Sequence, residues 1–400
     1  MPAMSSDNKD QAFPWHLGVY DAHCHPTDTM ASIEIIQKMK ARMLTVMATR
    51  AEDQDLVTST ADKHSCRASV GIRGFSHQMY INDENAQDDG NSREQEQDVT
   101  LKGDAKVKHY QQVLQPSRSD PLSDEDRQIF LSLPDPTSFA TFLQQTRKHL
   151  QKYPYALIGE IGLDRSFRIP EAWNAHLDLW SKRNANLTPG GREGRRLTPF
   201  RCSPQHQKKI FKLQLQLAAQ MERAVSVHGV QAHGLVFEAL SELWKGHEKE
   251  VLSKRERKKR GQDHPSVESA QLENGGAEKE DKPKPPYPPR ICLHSYSGNA
   301  SNFKQYLNPA IPTRIFASFS TAINLSDAMD EETPASFEEI VRTVPDDMVL
   351  VESDLHTAGD EMDRRLEDII RRICKIKEWS LEEGVDRLGK NWKAFAFGQE

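Results

Sequence analysis

The chain has 400 residues, 36% of them hydrophobic and 28% charged, and a formal net charge of -6. Even with its 21 glycines counted in, the apolar share is lean for a globular domain, so part of the chain lies outside any packed core. The acidic balance excludes a generic nucleic-acid coat, which is normally basic, while leaving room for an enzyme that grips phosphates locally through metal ions.

Residues 1–16 are polar, lack the apolar run of a signal peptide and are expected to form a flexible N-terminus. No apolar run is long enough to span a bilayer. Five scattered cysteines form no CxxC pair, which suits reduced thiols in the cytoplasm or nucleus.

The first core strand is expected over residues 17–22, followed by the turn His23-Cys24-His25-Pro26. A helix is expected over 32–42, a strand over 43–48, a helix over 52–64 and a strand over 67–72, the βαβα alternation of a parallel sheet. Residues 82–98 are almost devoid of apolar side chains and read as an exposed loop. Regular structure is expected to resume with a helix over 136–152, with Asp135 as N-cap ahead of Pro136. A strand over 155–161 follows, then an arginine-rich irregular stretch at 165–203.

The apolar spacing of Ile210, Phe211, Leu213, Leu217 and Met221 marks an amphipathic helix over 204–223. Strands are expected over 224–228, 290–294, 314–319 and 348–352, with helices over 235–244, 301–307, 336–343 and 362–378. The last helix opens on Ser380-Leu-Glu-Glu383, a capping box. Eight strands alternating with helices predict an α/β chain folded as a (β/α)8 TIM barrel over 17–397. Insertions at about 76–134, 165–203 and 245–289 account for the length beyond a minimal barrel, and the last is a charged arm ending in Pro-Lys-Pro-Pro-Tyr-Pro-Pro.

The chemistry sits at strand ends. In Asp21-Ala-His23-Cys-His25 the two histidines are one residue apart, so on an extended chain they share a side. The fourth strand ends Ile158-Gly-Glu160-Ile-Gly-Leu-Asp164, with a carboxylate between glycines that let a metal or substrate near the backbone. The fifth ends Val225-Ser-Val-His228, the sixth Ile291-Cys-Leu-His294-Ser-Tyr-Ser-Gly298 and the eighth Val349-Leu-Val-Glu352-Ser-Asp354. A single histidine after a strand is usually an ordinary hydrogen-bonded polar residue. Ligand types repeated at the active end of one barrel point instead to a metal centre of His23, His25, Glu160, His228, His294 and Asp354.

Together, Asp-x-His-x-His, Gly-Glu-Ile-Gly-Leu-Asp, His-x-Tyr-Ser-Gly and Glu-Ser-Asp resemble the motifs of the TatD family of metal-dependent deoxyribonucleases, in the amidohydrolase superfamily. The resemblance runs from about residue 20 to 397 and leaves out the insertions. It implies that His23, His25, Glu160 and Asp354 hold one metal and that Glu160, His228 and His294 hold a second, with Glu160 bridging. Asn391-Trp-Lys-Ala-Phe resembles the family's closing motif, with a structural role. Where the family carries a histidine that helps hold substrate phosphate, this chain has Gly71-Ile-Arg73-Gly-Phe75, and Arg73 is the candidate anion-binding residue. The family's arginine two positions after the fifth-strand histidine is absent, and Asp354-Leu-His356 stands where Asp-x-Pro is common.

The expected function is phosphodiester hydrolysis as an exonuclease-type deoxyribonuclease, with two divalent ions (Mg, Mn or Zn) and water as nucleophile. Asp354 is the candidate general base, and Glu160 is the second catalytic residue. The expected substrate is DNA or an oligonucleotide. One rival is another amidohydrolase reaction on an amide, lactone or phosphotriester; many such relatives bridge their metals with a modified lysine where this chain has Glu160. The other is a protein-interaction role through the insertions, since fungal members of the family are described as partners of a helical-repeat subunit of the cell-division ubiquitin ligase. The run from Lys254 to Arg260 reads as either a nuclear-localisation or DNA-contacting patch, or a solvated charged loop. Asp164 is expected to orient a ligand or to cap a helix, and Phe167, Trp173 and Trp180 to pack on the barrel or stack on bases.

Overall fold

The computed structural model describes residues 11–48, 53–64, 68–72, 80–81, 100–118, 121–173, 177–188, 192–251 and 284–399. Arg73, the 82–98 loop and the 254–260 basic run lie outside the described residues. Eight parallel strands form one sheet in chain order: β1 (Tyr20–Cys24), β2 (Met43–Met47), β3 (Ala68–Ile72), β4 (Leu157–Asp164), β5 (Val225–Val230), β6 (Arg290–Leu293), β7 (Arg314–Phe319) and β8 (Val349–Val351). The segment after β8 meets β1, where Asp354 N donates to His23 O at 3.0 Å and His25 N donates to Leu355 O at 2.8 Å. These bonds close the sheet into a barrel, and the (β/α)8 architecture is the one expected.

β1, β2 and β4–β8 are mostly buried on both faces, which is why runs such as Val225-Ser-Val and Val349-Leu-Val are apolar without alternation. Strand residues Tyr20, Met47, Leu157, Phe316 and Leu350 form one apolar cluster with Trp392 and Phe395. The last two lie on the closing helix, which therefore plugs the barrel floor. Trp392 Nε1 donates to Thr45 Oγ1 at 3.0 Å. The Asn391 amide donates to Asp346 O and Val349 O at 2.7 and 2.8 Å, a structural role for the closing motif. With the floor filled, chemistry is left to the opposite, carboxyl-end mouth.

The principal helices are α1 (Gln54–Lys63), α2 (Gly103–Val113), α3 (Asp124–Ser132), α4 (Phe139–Lys152), α5 (Pro204–Gln220), α6 (His233–Trp244), α7 (Ala335–Thr343), α8 (Asp360–Lys377) and α9 (Leu381–Phe397). On α8, Met362, Leu366, Ile369, Ile370 and Ile373 are buried at helical spacing. Ser380 caps α9 by accepting from Glu383 N at 3.2 Å, as the capping box predicts. Among the described residues, no helix is long and apolar enough to cross a membrane.

Several expectations are corrected. The first strand is displaced to Tyr20–Cys24, because Val19 O is taken by Arg42 N before pairing begins. The helix expected over 32–42 is a 3-10 run from Pro26 to Lys38, broken at Thr29, whose carbonyl accepts from Ser32 Oγ. The helix expected to follow Asp135 starts at Phe139, because Thr137–Ser138 pairs in parallel with Tyr80–Ile81. Asp135 instead accepts from Lys106 Nζ at 2.7 Å.

Regular structure also returns well before residue 136. Helices α2 and α3 bury Val107, Tyr110, Leu114, Phe130 and Leu133 with Ile169 and Phe200 from the 165–203 stretch. Leu114–Gln115 pairs antiparallel with Arg201–Cys202. Two segments that look irregular in sequence thus build one small apolar unit beside the barrel, because each supplies only half of its core.

Candidate metal centre

The site is assembled where the strands end. His23, on β1, is fully buried, and His25 follows one residue past the strand; their Nε2 atoms lie 3.1 Å apart. The outward nitrogens are engaged elsewhere, with His23 Nδ1 2.9 Å from Ser226 Oγ and His25 Nδ1 3.2 Å from Met47 O. These contacts aim both Nε2 atoms at the centre, the support expected behind metal-ligating imidazoles.

Glu160 on β4 lies between two imidazole pairs. Its Oε2 is 3.5 Å from His25 Nε2 and 3.9 Å from His23 Nε2. Its Oε1 is 3.0 Å from His228 Nδ1 and 3.7 Å from His294 Nε2. His228 Nδ1 and His294 Nε2 are themselves 3.1 Å apart. Asp354 completes the near side, its Oδ1 3.3 Å from His25 Nε2 and 3.9 Å from His23 Nε2. Asp354 has φ 54°, left-handed backbone that an aspartate tolerates better than most residues.

The close approach of β4 to β5 depends on Gly162. A Cβ there would fall 1.9 Å from the His228 carbonyl oxygen. Only a residue without a side chain lets β4 run this near the backbone that carries His228.

Burial and charge set the protonation of the cluster. Burial, reinforced by the neighbouring His294 and His25, drives the His23 pKa well below the ordinary histidine value. Burial alone would lower His25 too, but the Asp354 hydrogen bond and the Glu160 charge outweigh it and lift the ring to about 9. His228 also rises to about 9, because contacts with Asp164 and Glu160 overcome its burial. Asp164 Oδ2 is 3.6 Å from His228 Nε2. Burial would raise the Asp164 pKa, but the His228 and Ser166 bonds pull it to about 2. The centre therefore favours positive charge.

Two residues stand beside the ligands that the sequence reading left out of the site. Glu352 is fully buried, with Oε1 3.2 Å from His294 Nδ1 and accepting from the Ser295 hydroxyl, which lies 3.5 Å from Asp354 Oδ2. Glu352 Oε2 is buried without a hydrogen-bond partner among the described residues. The Glu-Ser-Asp motif was the signal for it. His356 stacks on His25 with centroids 5.3 Å apart, and its Nδ1 lies 2.8 Å from Asp28 Oδ2. Its signal was the position where proline is common.

Donor atoms of His23, His25 and Asp354, of His23, Glu160 and His294, and of His294, Glu352 and Asp354 cluster closely enough to hold a metal ion. Converging imidazoles supported from behind, buried carboxylates and the unpartnered Glu352 oxygen fit a divalent cation. Trp173 and Trp180 pack on each other, with centroids 5.1 Å apart, and Phe167 is exposed.

An eight-stranded parallel barrel with histidine and carboxylate donors at its carboxyl mouth defines a TIM barrel carrying a candidate metal centre. A family model described as TatD related DNase matches residues 20–396, and the chain belongs to that family. It is 34% identical over 381 residues to the Cut9-interacting protein scn1 of Schizosaccharomyces pombe, covering 94% of this chain and 98% of that one. It is 24% identical over 344 residues to the uncharacterized deoxyribonuclease YMR262W of Saccharomyces cerevisiae, covering 84% and 82%. A crystal structure of the TatD homolog YJJV from Escherichia coli is similar with TM-score 0.47 and 14% identity, over 96% of this chain and 98% of that one.

Proposed function

We propose that this protein is a metal-dependent phosphodiester hydrolase acting on DNA as an exonuclease-type deoxyribonuclease. The observation that carries this reading is Glu160, with one oxygen 3.0 Å from His228 and the other 3.5 Å from His25. A carboxylate between two imidazole pairs suits a bridge between two cations. His23, His25, Glu160 and Asp354 would hold one divalent ion, and Glu160, His228 and His294 the other. Mg, Mn and Zn are each compatible with mixed nitrogen and oxygen donors. When bound, such ions polarise a phosphoryl oxygen and make water a stronger acid.

The remaining chemistry belongs to the chain. Asp354 takes the proton of the attacking water as general base, within reach of the Ser295 hydroxyl at 3.5 Å. The filled barrel floor confines substrate to the mouth, and Arg73, next in the chain after β3, is proposed to grip a phosphate. The deoxyribonuclease name of the S. cerevisiae relative supports DNA as substrate.

The test is release of nucleotides from single-stranded DNA by purified protein with Mg, Mn or Zn added in turn. Loss of release in both His23→Ala and Asp354→Asn is expected, and unchanged activity in the two variants sinks the reading.

A second reading rests on the S. pombe relative named for its interaction with Cut9, which matches this chain over nearly its whole length. In it the insertions bind a helical-repeat cell-cycle protein. Binding retained by His23→Ala would separate such a role from catalysis. The proposed setting is the cytoplasm, the nucleus or both, which suits the free, buried Cys24, Cys202, Cys292 and Cys374.

A further inference from the structure

A cleft of about 450 Å³ lies where the small apolar unit meets the barrel, lined by Gln115, Pro116, Arg165, Pro199, Arg201, Cys202 and Pro204. The volume is that of an ordinary ligand site. Arg165 follows Asp164 in the chain, and the Asp164 carboxylate is 3.6 Å from His228 Nε2, so one lining residue of the cleft adjoins a residue that touches the metal centre.

Its walls are fixed. Arg165 N donates to Val230 O at 3.1 Å, tying its backbone to β5. The buried Gln207 side chain donates to Asp164 O at 2.8 Å and Cys202 O at 3.0 Å, and accepts from Asp164 N at 2.8 Å. One amide thereby staples the end of β4 to the Arg201–Cys202 strand and brings both arginines to one cleft. Arg201 Nε donates to Ser166 O at 3.3 Å, and its backbone pairs with Gln115.

Two arginines, Arg165 and Arg201, are the charged residues lining this cleft among the described residues. The Arg165 guanidinium is exposed and makes no ion pair among the described residues. Pro204 begins the 17-residue α5, whose first turn holds no acidic residue, so its positive dipole end faces the cleft. Among the described residues, no carboxylate side chain lines it. From these observations we infer that the cleft binds the sugar-phosphate backbone of a single-stranded nucleic acid, with Arg165 and Arg201 contacting phosphates flanking the one at the metal centre. The inference rests on the hydrolase reading above and supplies a grip built by this chain's own insertions.

The test is fluorescence anisotropy of a short fluorescein-labelled oligothymidylate with the full chain in EDTA, over ~50 to 200 mM salt. Arg165→Ala/Arg201→Ala should bind at least about tenfold more weakly, with a log-log salt slope shallower by about 1.4, the loss of two single-strand phosphate contacts. Arg165→Lys/Arg201→Lys should recover most of the slope, which a misfolded protein would not. A double-alanine variant with the wild-type slope and affinity overturns the cleft. So does wild-type protein that cleaves DNA with added metal yet shows no salt-dependent binding in EDTA; in both cases the hydrolase reading stands. Wild-type protein that neither binds nor cleaves overturns the hydrolase reading, and the cleft with it.

Discussion

The Ser353 hydroxyl donates to Asp21 Oδ2 at 2.6 Å, joining the first barrel strand to the segment that follows the eighth. Asp21 Oδ1 also accepts from His23 N at 3.0 Å and Ser353 N at 3.1 Å, and both residues are fully buried. Burial pushes the Asp21 carboxyl up to about 7 even though these bonds favour its charge. The contact closes the barrel and sets the backbone on which His23 and Asp354 stand. Ser353→Ala leaves the buried carboxyl one donor short, at a cost of about 1–3 kcal/mol. Thermal denaturation should show a lower Tm, and an unchanged Tm would remove the contact from the closure of the barrel.

Metal removal should destabilise the fold through the same residues. A cation bound only by the native state at about one hundred times its Kd adds about 2.7 kcal/mol. Adding Zn or Mn to chelated wild-type protein should therefore raise Tm. In Glu160→Gln, which weakens a donor facing both imidazole pairs, the rise should be much smaller. An equal rise in both proteins would place the cation elsewhere.

Glu352 is predicted to act on the metal through His294. With Oε1 3.2 Å from His294 Nδ1, its carboxylate favours a proton there and leaves Nε2 to face Glu160. Glu352→Gln should cost about 10–100-fold in metal affinity. Competition against a chromophoric chelator measures this, and wild-type affinity in the variant would limit Glu352 to packing.

Much of this was legible in the sequence, for a physical reason. Strands buried on both faces read as short apolar runs, and a ligand placed just after each run marks the mouth. His23, His25, Glu160, His228, His294 and Asp354 follow that rule, and the structure brings them together. Glu352 and Ser226 were harder to assign, because a residue that holds a ligand from behind has no spacing of its own. The unit containing α2 and α3 was missed because its core is divided between segments far apart in the chain: Val107 and Tyr110 need Phe200 to become a core. Asp135 looked like a helix cap in sequence, yet its partner Lys106 lies in that same unit.

Gly162 gives a backbone test of the site. Its absent side chain is what lets β4 lie against the His228 carbonyl, and a Cβ 1.9 Å from that oxygen cannot be accommodated by rotating a side chain. The φ of 155° adds strain for any other residue. Gly162→Ala should shift β5 at His228, lowering both Tm and metal affinity. Wild-type metal binding measured by titration calorimetry in a folded Gly162→Ala protein would contradict this.

The α2 unit should loosen in mild acid, and His109 is the reason. His109 is buried on α2 beside Tyr110 and His206, and its Nε2 has no hydrogen-bond partner among the described residues. Burial lowers its pKa from 6.5 to about 4. The unfolded chain therefore binds a proton more readily than the folded one, so stability rises with pH across this interval. The contribution is complete above 6.5 and is lost as pH falls through that value towards about 4. His109→Phe keeps a ring against Tyr110 and cannot titrate. Amide hydrogen exchange on α2, corrected for intrinsic rates, should accelerate between pH 6.5 and 4 in wild-type protein and much less in the variant. Equal acceleration in both would assign the loosening to other groups.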